Sequence, residues 1–315
     1  MPIVYRAHAA ALLIAVTLAT LGRPVAAETL RLAFVGDIML DGGPGHIVTN
    51  GGDPFAPVAP YLLNADLSVG NLECAITRVG HAVDKPYTFK GPVDSLPLLK
   101  KYFSVLSLAN NHAADFGTLG FQDELALLSA HQIDWVGGGR NETEARAPYL
   151  VSKKGRLIAI LAYNEFPPRS FAATQKKPGT AWLVEKDILS DIRRVKTTKN
   201  PDLVILYLHW GQELEPLPTG DQIELAHRLI DAGADVLIGS HPHVTQSIEW
   251  YHDKPIIYSL GNFVFDYFPW DPPLWTSYIL QLEYSDGRRP NLVTVPIELD
   301  AAGLPRLSGA TKPKN

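Results

Sequence analysis

Carboxylate, amide and imidazole side chains recur in this sequence directly after apolar runs, and these are the groups that hold divalent transition metals. The run from Leu30 to Val35 leads into Gly36-Asp37, and Ala65 to Val69 leads into Gly70-Asn71-Leu72-Glu73. Phe103 to Leu108 is followed by Ala109-Asn110-Asn111-His112. Leu203 to Leu208 is followed by His209-Trp210-Gly211-Gln212-Glu213, and Val236 to Ile238 by Gly239-Ser240-His241-Pro242-His243. Ile256 to Leu260 ends in Gly261-Asn262-Phe263. One such cluster reads as a turn or a helix cap, because Asn, Asp and Gly serve in both. Asp37 alone is most often a turn residue, Glu73 a helix-start carboxylate, and Asn110 or Asn111 an N-cap. His209 at the end of a buried run, and His241 and His243 on one proline-containing loop, have no such ordinary use. Asp37 and Glu73 supply carboxylates, and a carboxylate can bridge two ions; Asn111 supplies a carbonyl oxygen. Two metals held this way would clamp the attacking and leaving oxygens of a displacement. His46, His81, His131, His227 and His252 lack such settings and read as surface or structural.

The elements that must position these groups follow from the same runs. Near-continuous apolar segments of this length read as buried strands. Between them lie helical patterns: Leu119 to His131 with Leu125, Ala126 and Leu128 on a face, Glu185 to Lys196 with Ile188, Ile192 and Val195, and Asp221 to Ala232 with Ile223, Ala226, Leu229 and Ile230. Alternation of strand and helix gives an α/β or α+β layered class. In such folds ligands gather at the carboxyl ends of the strands, where the polar clusters sit. Beyond residue 276, apolar runs at 278–283 and 292–297 flank Asp286-Gly287 and read as an antiparallel hairpin with a loop longer than two residues. No linker or fixed-period repeat divides residues 28–310, so they read as one domain; the tail from Thr311 reads as frayed.

Composition narrows the function classes. The chain has 315 residues, 46% hydrophobic and 19% charged, which excludes a disordered or coiled-coil protein. It carries 28 basic against 33 acidic residues, net −5, so no nucleic-acid partner is expected. One cysteine, Cys74, excludes an intrachain disulfide and a multi-cysteine zinc site; it lies in an apolar stretch and is expected to be buried. Residues 1–27 read as a secretory signal: Arg6, an apolar run from Ala9 to Leu21, and a Val25-Ala26-Ala27 cleavage site. The mature chain is then expected to start near Glu28 and to be exported, either periplasmic or secreted.

Taken in order, the motifs Gly36-Asp37-Ile38-Met39, Asn71-Leu72-Glu73, Ala109-Asn110-Asn111-His112, His209-Trp210-Gly211-Gln212-Glu213, Gly239-Ser240-His241-Pro242-His243 and Gly261-Asn262-Phe263 resemble the bacterial capsule synthesis protein CapA family. That family is named for poly-γ-glutamate biosynthesis, and the resemblance spans residues 31–266. It implies the fold of calcineurin-like metallophosphoesterases, a four-layered α/β/β/α sandwich. It also implies roles. Asp37 and His243 would bind one divalent metal (Zn, Mn or Fe), and Glu73 would sit in the bridging position. Asn111, His209 and His241 would bind the second metal, and His112, oriented by Asp115, would assist the transition state. The superfamily's first motif is Asp-any-His, and Met39 stands in its third place here, so the first site lacks an imidazole. The activity implied is a metal-dependent, hydrolase-like one on an anionic polymer such as poly-γ-glutamate, alongside a membrane synthase. Lys90, Asn262 and Glu213 are the candidate substrate contacts, with Glu213 also a candidate orienter of His209. Two alternatives stay open: a non-catalytic polymer-binding or export accessory, and a periplasmic metallophosphoesterase, which Met39 disfavours.

Overall fold

Alternation along the buried strands determines the layering. In the strand Leu30–Ile38, Leu32 and Phe34 enter one apolar cluster while Ala33 and Val35 enter another. In Arg156–Asn164, Ile158, Ile160 and Ala162 join the cluster of Leu32, whereas Ala159, Leu161 and Tyr163 join a third. Leu203–His209 divides in the same way, with Ile205 and Tyr207 on one side and Leu206 and Leu208 on the other. A strand apolar on both faces needs a covering layer on each. Three apolar clusters therefore separate helices, sheet, sheet and helices, which is the α/β/β/α sandwich that the resemblance implies. This computed structural model describes residues 28–166, 168–266, 272–285 and 289–309. The expected signal segment 1–27, the Asp286-Gly287 turn and the tail from Thr311 lie outside the described residues.

One large sheet runs in the order Pro305–Leu307, Asn291–Leu299, Thr276–Tyr284, Leu30–Ile38, Leu67–Leu72, Val105–Ser107, Asp134–Val136, with Asn262–Val264 added beside Leu30–Ile38. The other runs Ile248–Tyr251, Lys254–Ile257, Val236–Ser240, Leu203–His209, Arg156–Asn164, Tyr149–Lys153. The strands from Leu30 to Val136 pair in parallel in the first sheet, as do the central strands of the second, so their polar carboxyl ends share a rim. The strand Thr276–Tyr284 pairs antiparallel with Asn291–Leu299, as the sequence pattern predicts. Two further hairpins, Tyr149–Lys153 with Arg156–Asn164 and Ile248–Tyr251 with Lys254–Ile257, have no counterpart in the sequence reading.

Leu96–Tyr102 and Gly117–Ala130 cover the first sheet, and Glu185–Thr198 and Gly220–Asp231 cover the second. The face of Gly117–Ala130 differs from the sequence reading: Leu127 is buried with Leu125 and Leu128, and Ala126 is exposed. Ile223 is only half-buried, while its neighbour Gln222 is buried and closes a capping box with Thr219. Phe103 closes the helix Leu96–Tyr102 instead of opening the next strand. Cys74 is buried, its sulfur accepting a hydrogen bond from the Leu40 amide at 3.4 Å, and burial pushes its thiol well up. Among the described residues, no helix is long and apolar enough to cross a membrane.

Glycine permits the closest backbone approach at the rim. A Cβ on Gly36 would lie 1.8 Å from the Gly261 carbonyl oxygen, and this contact brings Asp37 into register with Asn262. Gly36→Ala is expected to lower stability by about 3 kcal/mol, since the clash is with backbone. Gly220→Ala meets nothing within 4 Å among the described residues and is expected to be neutral or stabilising by up to about 1 kcal/mol. Urea unfolding of both variants checks the pair; equal losses would show that crowding does not decide the effect.

Candidate metal centre

The side chains at the rim are aimed by local irregularity. The register between Leu30–Ile38 and Leu67–Leu72 shifts between Phe34 and Asp37, and such a bulge re-aims the side chains that follow it. Across the sandwich, His209 pairs with Ser240 on one side and Asn164 on the other. His241 (φ 99°) and His243 (φ 61°) both have left-handed backbone, a strain of about 1–3 kcal/mol at each.

These residues converge. Asp37 Oδ1 accepts a hydrogen bond from Asn71 Nδ2 at 2.8 Å, and the same amide nitrogen lies 3.2 Å from His209 Nδ1. Asp37 Oδ2 accepts from the His241 amide at 3.3 Å and lies 3.4 Å from His243 Nδ1. His209 Nε2 is 2.8 Å from Asn111 Oδ1 and 3.5 Å from Glu73 Oε1, and its Nδ1 is 3.1 Å from the Ser240 hydroxyl. The His209 and His241 ring centres are 4.6 Å apart. Asn110 Nδ2 donates to Asn71 Oδ1 at 3.0 Å, so Asn71 is itself held in place.

The electrostatics suit a cation. Both oxygens of Glu73 and both ring nitrogens of His241 are buried without a hydrogen-bond partner among the described residues. Burial pushes the Glu73 carboxyl well above its usual range, and the Asp37 charge adds to the effect. Burial holds His209 and His241 well below the ordinary imidazole value, with mutual repulsion among the histidines reinforcing it, so both rings are neutral. For His243 burial acts downward, but the hydrogen bond and charge of Asp37 outweigh it and raise the value. When Nδ1 of His209 donates to Ser240, its Nε2 presents a bare lone pair beside Asn111 and Glu73. Donor atoms of Glu73, His209 and His241 lie within 4.8 Å of one another, as do those of Asp37, Glu73 and His243, and of Glu213, His241 and His243. Carboxylate with neutral imidazole and an amide oxygen fits zinc, manganese or iron.

His112 stands beside this cluster. Its Nδ1 is 2.7 Å from Asp115 Oδ2, and the Phe89 ring stacks on it at 4.3 Å. Lys85 pairs with Asp115 Oδ1 at 2.5 Å and donates to the Asn111 carbonyl at 2.9 Å. Burial lowers the His112 pKa, opposed by Asp115.

Other candidates sit differently. The Lys90 ammonium lies over the Phe116 ring, 5.0 Å from its centre, and it is Lys85 that reaches His112 and Asp115. Asn262 orients His243, its Oδ1 lying 2.9 Å from Nδ1. Glu213 is exposed and meets His241 and His243; the groups against His209 Nδ1 are Asn71 and Ser240, which corrects the expectation that Glu213 orients that ring. Met39 is buried in the apolar cluster of the outer layer, its sulfur accepting from the Asp41 amide at 3.1 Å. Asp41 does not replace the missing imidazole: its oxygens accept from the Gly42 amide at 2.8 Å and the Lys90 amide at 2.9 Å. The structure adds Asn71, Lys85 and Ser240 to the candidate residues. Asn71 and Ser240 sit within the Asn71-Leu72-Glu73 and Gly239-Ser240-His241 motifs, whereas Lys85 lies in a polar stretch without periodicity.

The sequence model of the family described as "Bacterial capsule synthesis protein PGA_cap" matches residues 31–267. The chain is 33% identical over 285 residues to the capsule biosynthesis protein CapA of Bacillus anthracis, covering 86% of this chain and 68% of that protein. It is 35% identical over 245 residues to the PGA biosynthesis protein CapA of Bacillus subtilis (strain 168), covering 76% of this chain and 64% of that one. The fold is similar to that of a putative 5′-nucleotidase from Staphylococcus aureus, with a TM-score of 0.54 at 13% identity over 91% of this chain and 56% of the other. At that identity the likeness is one of fold alone.

Asn71→Ala is expected to weaken metal binding about 10–100-fold, the usual effect of removing a group that orients ligands. Metal binding should also strengthen as pH rises from 6 to 8, because Glu73 must shed a proton to act as a ligand in the His209–His241 set, and His243 must do so in the Asp37 set. Chelator competition measures the first, and calorimetry in buffers of different ionisation enthalpy measures the proton release. No release would show that Glu73 is ionised before the metal arrives.

Proposed function

The chain belongs to the bacterial capsule synthesis protein PGA_cap family, and on that footing we propose that its rim cluster is a divalent-metal centre with hydrolase-like activity on an exported anionic polymer of the poly-γ-glutamate type. The observation that carries this reading is the set of unpartnered buried donors, Glu73 Oε1 and Oε2 with His241 Nδ1 and Nε2. Leaving such groups buried without a partner costs about 1–3 kcal/mol each, more for a charged one, and a cation removes the penalty. Glu73, Asn111, His209 and His241 would form the tighter site, and Asp37, Glu73 and His243 the weaker. When bound, the metal supplies Lewis acidity and lowers the pKa of water.

The remaining chemistry is the chain's own. Asp115 accepts the Nδ1 proton of neutral His112, which leaves Nε2 as the nitrogen that takes or returns a proton at the substrate. Lys85 pairs with Asp115 and holds it in place. Stacking on Phe89 keeps the ring buried and orients it. A second reading, a polymer-binding accessory of a membrane synthase without turnover, draws support from Met39: its thioether lies in the apolar core, so the Asp37 site keeps one imidazole.

The purified protein is expected to keep about one metal per chain after dialysis, and His241→Ala to lose it. His112→Ala should retain the metal but lose about 10²–10⁴-fold of the hydrolysis of a γ-linked glutamate oligomer. Elemental analysis and product assay on the same samples decide the matter: full metal with no hydrolysis by the unmodified protein favours the accessory reading, and two equally tight metals would show that the Asp37 set is complete without Met39 being histidine. N-terminal sequencing of the exported product, expected to begin near Glu28, checks its export.

A further inference from the structure

We infer that the cavity beside the turn Arg169–Phe171 is a binding subsite for a carboxylate-bearing chain, set next to the metal centre; the inference rests on the proposed anionic polymer substrate. The cavity holds about 330 Å³, within the range of small-ligand sites. Its walls include Arg146, Arg169, Lys177, Thr180 and Trp182. Arg146 is paired, lying 2.8 Å from Asp191, 3.3 Å from Glu142 and 3.5 Å from Asp187. The lining carries the three cations Arg146, Arg169 and Lys177 against the two carboxylates Glu142 and Asp187, so its net charge is +1. Both carboxylates lie on the Arg146 side, whereas Arg169 and Lys177 have no ion-pair partner among the described residues. The Lys177 ammonium donates to the Ser170 carbonyl, which occupies one of its three protons. The Arg169 guanidinium lies over the Trp182 ring, 5.9 Å from its centre, which orders it without cancelling its charge.

The second observation is Thr180. It is 1% exposed, and its hydroxyl is buried in the cavity wall with no hydrogen-bond partner among the described residues. Two free cations, an aromatic face and an unpaired hydroxyl suit a ligand that joins a carboxylate to an amide through a short aliphatic chain. The turn also connects the cavity to the chemistry. Arg169 and Ser170 line the cavity, while the ring of Phe171 lies 6.0 Å from the Lys85 ammonium, which pairs with Asp115 beside His112. A polymer seated on Arg169 and Lys177 would therefore extend past Phe171 toward His112.

The test is fluorescence anisotropy of a labelled γ-linked glutamate oligomer on the full mature protein, with metal content measured on every sample. Arg169→Gln and Lys177→Gln each remove a surface cation without disturbing the core and are expected to weaken binding about tenfold, with Thr180→Val weakening it severalfold. Arg193→Gln with Lys199→Gln, two exposed basic residues that do not line the cavity, should leave binding unchanged. Unaltered binding in R169Q and K177Q overturns the subsite and leaves the metal-centre reading standing. An unmodified protein that holds no metal yet binds in an Arg169-dependent way overturns the metal centre and supports the subsite. No binding by the unmodified protein, or an equal loss from the control pair, overturns the subsite.

Discussion

A single carboxylate joins the two halves of the candidate centre. Asp37 stands near the end of a strand in one sheet and accepts from the Asn71 amide of that sheet through Oδ1 and from the His241 backbone amide, just past a strand of the other sheet, through Oδ2. The ligand types come from opposite halves of the sandwich, so their spacing depends on how the sheets are fixed at the rim. The Tyr207 hydroxyl adds a second tie, donating to the Val35 carbonyl at 2.6 Å. Two sheets packed only through aliphatic contacts could slide by fractions of an ångström with little penalty, because dispersion is non-directional. Directional hydrogen bonds between them remove that freedom where a metal would need it removed.

Burial sets the protonation of the cluster as well as its geometry. The parallel strands are covered on both faces, so their ends open into a low-dielectric region. There an imidazole favours its neutral form and a carboxyl resists ionising. His209 and His241 are thereby already in the ligand form, whereas Glu73 is held back until a cation arrives. Asp37 and His243 form the exception, a close acid–base pair within the same site.

The legible part of this protein lies where burial and chemistry share a short stretch of chain. Asp37, Glu73, Asn111, His209, His241 and His243 each follow an apolar run, so their placement at one rim can be read from local sequence. The number of layers is different: continuous apolar runs indicate two covered faces, but which cluster each face joins is a tertiary matter that only the resemblance supplied in advance. Lysine illustrates the limit most clearly. Lys85 and Lys90 lie five residues apart in the same polar stretch, and nothing local distinguishes the one that reaches Asp115 from the one that lies over Phe116. Ala126 and Leu127 exchanged places for a similar reason, since a helix apolar over much of its circumference does not mark which stripe faces the sheet.

Cys74 has a consequence for the life of the chain outside the native state. The sequence contains one thiol, and folding buries it with its sulfur engaged by the Leu40 amide. Its thiolate is strongly disfavoured there, and the thiolate is the species that attacks disulfides and reacts with oxidants. The native protein is thus redox-silent, while an unfolded copy exposes a thiol that can crosslink to another. Folding speed then competes directly with covalent dimerisation, and an oxidising environment would penalise slow folders without touching molecules that have already folded.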